Sequence, residues 1–343
     1  MAVLGSTFIN LIDVLSRTSE GKMAGTIVEL LAQQNGILDD AIAVECNSGT
    51  KHVTMVRTGL PSVAWGSLYK GIPQSKSTTQ QVEDTTGFLE ARSSVDVRLL
   101  ELYGSDAGNI RLSEATSFLE AMNQEMATGI FYHDTTASPE KFKGLGARFG
   151  VLGGGGSGNQ IIDAGGTGSD NTSIWFVTWG EQYCSLLYPK GTQAGIKRMD
   201  EGRQRVLDAA GNPFFVMEET FTWHIGVTVK DWRFVSRVCN IDVSDMRAGT
   251  VNLYDFLRKA YYRLQNTKID RNGGKDGAGA KRIAMYCNRD VLECLDRLAT
   301  NAGSTNNFTQ LKYGEVEGKS VLMYRGIPIR ETDALLNTEA RVV

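Results

Sequence analysis

The chain has 343 residues, of which 41% are hydrophobic and 22% charged, and its formal net charge at pH 7 is −3. This length allows a sizeable core in one or two domains of a folded soluble protein. The negative charge disfavours tight general binding to nucleic acid or anionic membranes. The sequence has no apolar run long enough for a membrane span and no secretion signal at its N-terminus.

The first fifty residues predict a helical arm. Apolar residues recur with helical spacing from Phe8 to Thr18 and from Thr26 to Gln33, and the polar, glycine-containing stretch RTSEGKMAG separates the two pieces. Two short helices form a poor domain core by themselves. We therefore expect an arm that other surfaces must order.

The segment from Lys51 to Val82 predicts a long two-stranded excursion. It opens with alternating residues from His52 to Arg57 and closes with a polar extended run, and prolines and glycines lie between. Trp65 and Tyr69 mark an aromatic tip. A lone hairpin is marginal in water, so this one needs another surface. That surface belongs either to its own domain or to a neighbouring subunit.

A long helix is predicted next, from Ser113 to Tyr132, which would span about 30 Å. Its apolar stripe, widened by Phe118, consists of Leu112, Ala115, Leu119, Met122, Met126 and Ile130. A glycine-rich connector follows. Continuous apolar runs then predict two buried strands, Ile174 to Val177 and Gln182 to Tyr188, with a turn at Gly180-Glu181.

The clearest predicted strand runs from Phe221 to Lys230, where apolar and polar residues alternate without error. The phase of the alternation shifts after Asp231, which predicts a bulge or sharp bend there. Further expected elements are a helix capped by Thr250, a strand from Arg282 to Cys287, a helix that begins at Asn288 or Asp290, and two extended runs around an Arg325-Gly326 turn.

No assembled active site is evident. Gly153, Gly155 and Gly158 fit a dinucleotide-binding spacing, but no strand precedes them and no helical pattern follows, so a flexible link is the better interpretation. The stretch GEVEGKS is one residue short of a phosphate loop. The acidic pairs Asp39-Asp40, Glu83-Asp84 and Glu218-Glu219 are expected to be solvated surface.

The histidines and cysteines also give no catalytic or metal-binding cluster. His52, His133 and His224 are far apart in the sequence, and we expect structural or solvated roles for them, with His133 complementing the last carbonyls of its helix. The five cysteines have no CxxC spacing and are expected to be free, buried thiols. We therefore expect no catalytic residues, no cofactor and no metal, which favours a structural protein.

The order of these parts resembles the major capsid proteins of tailed bacteriophages, which have the Hong Kong 97 fold. Local stretches of the sequence are similar as well, and they are most similar to those of the capsid proteins of short-tailed phages. The resemblance rests on the stretches GLPSVAWGSLYKGIPQSKSTTQQVED, RLSEATSFLEAMNQEMATGIFY, PEKFKGLGARF, IIDAGGTGSDNTSIWFVTWGEQ with YPKGTQAG, DWRFVSRVCNID and GIPIRETDALLNTEA. It implies an α+β, Hong Kong 97-like capsid fold over nearly the whole chain.

The resemblance also implies a division of the chain into five parts. They are an N-terminal arm (1–50), an extended loop (51–85), a peripheral domain with a long spine helix (86–150), an axial domain with a connecting sheet (151–320), and a C-terminal return to the peripheral domain (321–343). The glycine-rich stretch from Ile161 to Asn171 is then a turn-rich lead-in to the sheet core. The long strand Phe221 to Val229 is expected in a joining sheet.

The implied function is structural: copies assemble as hexamers and pentamers into an icosahedral head shell. Its expected partners are other copies of the chain, packaged double-stranded DNA through weak non-specific contact, portal and scaffolding proteins, and in some members decoration proteins, with no membrane. Scaffolding is expected to be a separate protein, and the shell to assemble in the host cytoplasm and become part of the virion. The residues expected at inter-subunit contacts are Val53, Met55, Leu60, Trp65, Tyr69, Lys70 and Lys76.

Some relatives join a loop lysine to a neighbour's asparagine. Lys70 and Lys76 lie in the matching region, but no partner asparagine is identifiable, and we predict no crosslink. Two alternatives stay open at this point. One is an encapsulin-like nanocompartment shell, and the other is a nucleotide-binding enzyme that uses the run from Gly153 to Gly158.

Overall fold

The computed structural model describes residues 18–19, 22–23, 33–208, 210–265, 281–301, 311–316 and 319–343. The helices are α1 Ile37–Asp40, α2 Val97–Tyr103, α3 Ala107–Tyr132, α4 Leu145–Arg148, α5 Val243–Ala248, α6 Leu253–Arg263 and α7 Arg289–Asn301. The strands are β1 Thr18–Ser19, β2 Lys22–Met23, β3 Ala43–Glu45, β4 Lys51–Gly59, β5 Thr78–Thr85, β6 Gly87–Asp96, β7 Ile161–Asp163, β8 Asn171–Trp179, β9 Cys184–Tyr188, β10 Ile196–Leu207, β11 Pro213–Val229, β12 Val235–Asp242, β13 Arg282–Cys287, β14 Leu311–Val316, β15 Lys319–Tyr324 and β16 Ile327–Glu331.

Both predicted helices of the arm lie outside the described residues, apart from their last residues Thr18 and Gln33. Thr18 belongs to β1, which pairs with β2 in a short antiparallel ladder. The backbone N–H of Gln33 donates to Glu120 Oε1 at 3.0 Å. The chain that leaves the arm is therefore attached to the middle of α3.

A large mixed sheet forms the centre of the fold, with strands in the order β10-β11-β9-β8-β13-β16-β15-β14. Strand β12 also pairs with β8, and β6 also pairs with β11. Every residue of β8 is buried. Because side chains alternate along a strand, Trp175 and Val177 enter one hydrophobic core while Ile174 and Phe176 enter the other. The predicted strand buried on both faces is confirmed.

The two cores lie on opposite faces of this sheet. One contains residues of α1, the end of α3 and α4, and the other contains residues of α5, α6 and α7. Helix α6 places Leu253, Leu257 and Ala260 in the second core, as its apolar periodicity predicts. The predicted turn at Gly180-Glu181 is also confirmed, because Tyr183 N–H donates to Gly180 O at 3.1 Å.

Helix α3 has 26 residues, about 39 Å at 1.5 Å per residue, and begins earlier than the predicted Ser113. Its apolar side chains pack at three places along its length. Ile110 contacts Val95 and Leu99, Met122 packs with Phe221, and Ile130 enters the first core. Two members of the predicted stripe do not pack in the core: Leu112 is 61% exposed and Leu119 is 37% exposed.

Strand β11 starts at Pro213, well before the predicted Phe221, and joins two regions. Its first part pairs with β10 on one side and β6 on the other, and its last part pairs with β9. The predicted sharp bend is confirmed, because β11 ends at Val229 and a short 3-10 turn follows from Trp232 to Phe234. Thr228, which the alternation placed on a polar face, is fully buried, so this part of the prediction is wrong.

Some predicted caps and loops differ from the structure. Thr250 does not cap α6: its hydroxyl donates to Asp245 O at 2.9 Å, and the Asn252 side chain accepts from Tyr254 N–H instead. Helix α7 begins at Arg289, and Asn288 Oδ1 accepts from Asp290 N–H. The start of the predicted lead-in, β7, is a strand that pairs in parallel with β12.

The predicted Arg325-Gly326 turn is confirmed, with φ angles of +49° and +82° between β15 and β16. Positive φ at both central residues is the geometry that short hairpins favour. All five cysteines are free and buried, as expected. His133 does not complement the carbonyls at the end of α3. Burial lowers its pKa, and Nε2 lies 3.2 Å from Glu125 Oε1.

The expectation that the acidic pairs are solvated surface holds for Asp39 and Glu83, which are exposed. It is wrong for the other four residues, Asp40, Asp84, Glu218 and Glu219, which are buried. Asp40 binds Arg330 through both oxygens, at 2.9 and 3.1 Å. Asp84 binds Arg148 at 2.6 Å, and Glu219 binds Arg198 through both oxygens at 2.9 Å. Their arginine partners lie far away in the sequence or on a neighbouring strand, so local sequence alone gives no sign of the pairing.

Substitution of two glycines tests how closely the chain at Gly144 approaches the end of α3. A Cβ at Gly144 would lie 2.7 Å from Gly129 O and 2.9 Å from Ile130 O, whereas a Cβ at Gly108 would meet nothing within 4 Å. We expect Gly144→Ala to lower the free energy of unfolding by about 1–3 kcal/mol through overpacking. Gly108→Ala, the control, is expected to raise it by up to about 1 kcal/mol. Urea denaturation of the two variants measures both effects, and equal stabilities would contradict the close approach.

Candidate inter-subunit surface

The hairpin predicted between Lys51 and Val82 is present as an extended loop. Strands β4 and β5 pair antiparallel from Lys51 with Thr85 to Gly59 with Thr78, and the register shifts between Arg57 and Gly59. The connection, residues 60–77, has no strand or helix and is called the tip here. A hydrogen bond from Ser75 Oγ to Ser62 O, at 2.7 Å, crosses the tip.

The tip exposes large apolar side chains that nothing in the described chain covers. Trp65 and Tyr69 are 101% and 104% exposed. The others are Leu60, Val63, Leu68 and Ile72, each at least 66% exposed. Such a concentration of exposed apolar side chains on a soluble protein marks an interaction surface.

Most of the residues predicted at inter-subunit contacts lie exposed on this loop. They are Met55, Leu60, Trp65, Tyr69, Lys70 and Lys76. Val53 differs, because it is half-buried and its backbone N–H and C=O both bond to the side chain of Asn47, at 2.9 and 2.7 Å. Sequence reasoning missed Val63, Leu68 and Ile72. Their signal was present, because they stand in the same run of prolines and glycines as Trp65.

The root of the loop is fixed to the body by a buried ion pair. Arg148 of α4 contacts Asp84 Oδ1 at 2.6 Å, and the same guanidinium nitrogen donates to Val227 O at 2.9 Å. The chain beyond β5 passes so close to β11 that a Cβ at Gly226 would lie 2.8 Å from Thr85 O. Body and loop root are therefore one packed unit, while the tip extends away from it.

The loop root also contains a buried histidine whose charge state affects stability. His52 on β4 is 8% exposed, and burial, followed by the nearby charge of Lys230, lowers its pKa below the usual 6.5, although Asp84 acts in the opposite direction. The unfolded chain then binds more protons than the folded one between the two pKa values. The contribution of neutral His52 to the free energy of unfolding is therefore fully present above pH 6.5 and is lost as the pH falls below that value.

We expect the free energy of unfolding of unassembled protein to decrease between pH 7.5 and pH 5.5. His52→Gln should reduce this decrease. His133→Gln should reduce it as well, since burial and then Lys141 lower the pKa of His133. Urea denaturation at the two pH values measures the slopes, and a steeper loss of stability in either variant would contradict the direction of these pKa shifts.

Other sites considered from the sequence have no supporting geometry. The glycine run forms a 3-10 turn from Gly156 to Gln160 that leads into strand β7 and not into a helix, so it lacks the helix N-terminus that binds a pyrophosphate. Within the residues that the structure describes, no group of three or more His, Cys, Asp or Glu side chains could hold a metal ion. In the same residues, no helix is long and apolar enough to cross a membrane.

A family model described as major capsid protein GP7 matches residues 18–343. The chain belongs to this family. The solved structure of bacteriophage Epsilon15 is similar, with a TM-score of 0.76 and 33% sequence identity, and the match covers 100% of this chain and 99% of that one. A search of curated proteins gave no match.

More distant structures were also found. The capsid of a native GTA particle matches 64% of this chain and 94% of its own, with 11% identity and a TM-score of 0.45. The SrpI encapsulin from Synechococcus elongatus PCC 7942 matches 68% of this chain and 96% of its own, with 10% identity and a TM-score of 0.42.

The predicted α+β, Hong Kong 97-like capsid fold is confirmed. As a member of this family, the chain is a structural protein of the icosahedral head shell of a phage virion. It is not an enzyme. The interpretation as a nucleotide-binding enzyme is therefore wrong. The encapsulin alternative is not favoured, because the family model and the Epsilon15 match both point to a phage capsid.

Proposed function

We propose that copies of this capsid protein assemble as hexamers and pentamers into a shell that encloses double-stranded phage DNA. The uncovered apolar tip of the extended loop carries this proposal, because it lies outside the packed body and needs a surface on another copy. Contacts repeated around a ring are modest one by one and large in sum. The net charge of −3 agrees with a shell that contacts DNA weakly and non-specifically.

The division of the chain is part of the proposal: arm 1–50, extended loop 51–85, peripheral domain 86–150, axial domain and connecting sheet 151–320, and C-terminal return 321–343. Helix α3 would then be the spine of the peripheral domain. The residues proposed to lie between subunits are Val53, Met55, Leu60, Trp65, Tyr69, Lys70 and Lys76. Portal and scaffolding proteins, and in some shells decoration proteins, are the further partners proposed.

Cryo-electron microscopy of particles assembled from the purified full chain tests this proposal. We expect closed shells with rings of six and of five copies, in which each extended loop lies on the next copy. Discrete small oligomers, or shells in which each loop folds back on its own chain, would contradict it. Small shells filled with a protein cargo would instead support the encapsulin-like alternative.

A further inference from the structure

A groove with an apolar floor lies at the foot of the extended loop. It has a volume of about 120 Å³ and lies between the start of β6, the last turns of α3 and the segment around Phe142. Met126 and Phe142, both almost fully buried, form the floor with Leu89. Phe88 forms part of the rim and is 64% exposed. An apolar cavity of comparable size holds benzene in another protein, so one aromatic ring can fit here.

One wall of this groove is polar. Glu125 Oε1 accepts a hydrogen bond from Lys141 Nζ at 3.0 Å, and His133 Nε2 lies 3.2 Å away. The hydrogen bond from Lys141 lowers the pKa of Glu125, which therefore carries its charge at neutral pH. Glu125 remains 43% exposed, and a carboxylate has room for several donors. An apolar floor beside a free acceptor suits an aromatic side chain that carries an N–H group.

Trp65 on the tip has the shape and chemistry that this groove requires. Its side chain is fully exposed and stands between the small residues Ala64 and Gly66, so it projects as a knob with little beside it to obstruct entry. An indole offers one N–H donor and no acceptor. The charges also match: the tip carries Lys70 and Lys76 and no acidic residue. On the groove side, the two carboxylates of Glu125 and Glu140 outnumber the single ammonium group of Lys141.

The Trp65 side chain of the same copy lies too far from the groove to occupy it. The groove includes Gly87, which lies just beyond the end of β5, whereas Trp65 lies beyond the far end of the same hairpin. Paired strands of this length separate the two by about 25 Å, at roughly 3.3 Å per residue. A copy therefore presents its knob at one end of the loop and its groove at the other.

We propose that the groove at the foot of the extended loop receives the Trp65 side chain of a second copy, with the indole N–H donating to Glu125. This inference rests on the proposed assembly and names the contact that joins neighbours. A contact between two different surfaces repeats from copy to copy and closes a ring when the rotation fits. The same knob and groove would then serve rings of six and of five.

Cysteine pairs on the full-length chain test the contact while Trp65 and Glu125 stay in place. Ala64→Cys places a thiol beside the knob, and Glu140→Cys places one at the rim of the groove. After mild oxidation of assembled particles, we expect a ladder of covalent oligomers on a denaturing gel under non-reducing conditions, because a disulfide needs Cα atoms within about 7 Å. The five native cysteines are buried and should not contribute.

Ala64→Cys with Leu207→Cys is the matched control, because Leu207 is 58% exposed on β10 and does not line the groove. Intact shells with no ladder from the first pair, or with the same ladder from the control, would overturn the groove assignment and leave the shell function standing. If the reduced proteins form no shells, the assembly proposal fails and this inference fails with it.

A second measurement does not depend on crosslinking. Trp65→Ala should raise the protein concentration needed for assembly roughly 30-fold, the size expected when a buried tryptophan anchor of about 2 kcal/mol is removed. Trp65→Phe keeps one aromatic ring and loses the five-membered ring with its N–H group, so its effect should be smaller than that of Trp65→Ala. Light scattering during assembly measures both variants, and an unchanged threshold for Trp65→Ala would contradict the knob.

Discussion

Removal of the tip is expected to give a folded protein that forms no shells. In this variant an Asn-Gly turn replaces residues 60–77. The turn connects Gly59 to Thr78, which are already paired across the hairpin. Two-residue turns of this composition suit paired antiparallel strands. The root contacts remain, including the ion pair between Asp84 and Arg148. The free energy of unfolding should therefore change little, whereas electron microscopy should show no closed particles.

The size of this effect follows from the apolar surface involved. Each large apolar side chain contributes about 1.5–3 kcal/mol when it becomes fully buried, and the tip carries six that are exposed. Association and ordering of the loop offset part of this gain, but a ring repeats the contact at every copy. Gln74→Ser is the control, because it changes an exposed polar residue of the tip, leaves the apolar side chains and both lysines in place, and should still assemble. Normal shells from the tipless chain would show that the loop is dispensable.

The second large effect is expected at Glu339. Its Oε2 accepts a hydrogen bond from Arg237 Nη2 at 2.9 Å and another from Ser173 Oγ, and its Oε1 accepts from the Tyr132 hydroxyl at 2.5 Å. Both members of the ion pair are almost fully buried. Burial, with the adjacent Glu339 charge, raises the pKa of Tyr132 well above its usual value, so the hydroxyl stays protonated and donates. Glu339 therefore connects the C-terminal tail to β8, β12 and α3.

We expect Glu339→Ala to lower the free energy of unfolding by about 3–5 kcal/mol, because it leaves the Arg237 guanidinium buried without its counter-charge. The tail should also separate from the body, which amide hydrogen exchange at Val342 can detect, since Val342 N–H donates to Asn240 Oδ1 at 2.8 Å. Urea denaturation measures the stability. Arg341→Ala, an exposed position nearby, is the control and should change it little. A loss below about 1 kcal/mol for Glu339→Ala would contradict the role given to this pair.

The sequence predicted the regular elements where one physical signal dominated. The unbroken apolar run around Ile174 indicated a strand buried on both faces, and the 3.6-residue spacing of Met122, Met126 and Ile130 indicated the long helix. The predictions failed where the burial of a side chain depends on residues that are distant in the sequence. Leu112 and Leu119 continue the apolar spacing, but the sheet that covers α3 does not reach them.

The least successful predictions concerned acidic side chains, because several that were expected at the surface are buried. Asp40, Asp84 and Glu219 look like ordinary surface residues in their local sequence, and each is buried because an arginine from elsewhere neutralises it. The candidate surface was more accessible to prediction. Trp65 and Tyr69 stand among prolines and glycines that cannot build a core, and this local composition is enough to mark the tip as exposed. The groove was not predictable, because β6, α3 and the Phe142 segment meet only in the fold.

Short-range patterns in the sequence are sufficient to predict a long helix, buried strands and an extended apolar loop, because periodicity and turn residues act over a few neighbouring positions. The capsid fold was implied by the resemblance of whole stretches of the sequence to a known family. The folded chain was needed to establish which charges are buried, how Glu339 holds the C-terminal tail, and where a groove opens at the foot of the loop. These features depend on side chains that are distant in the chain and meet only when the sheet has formed.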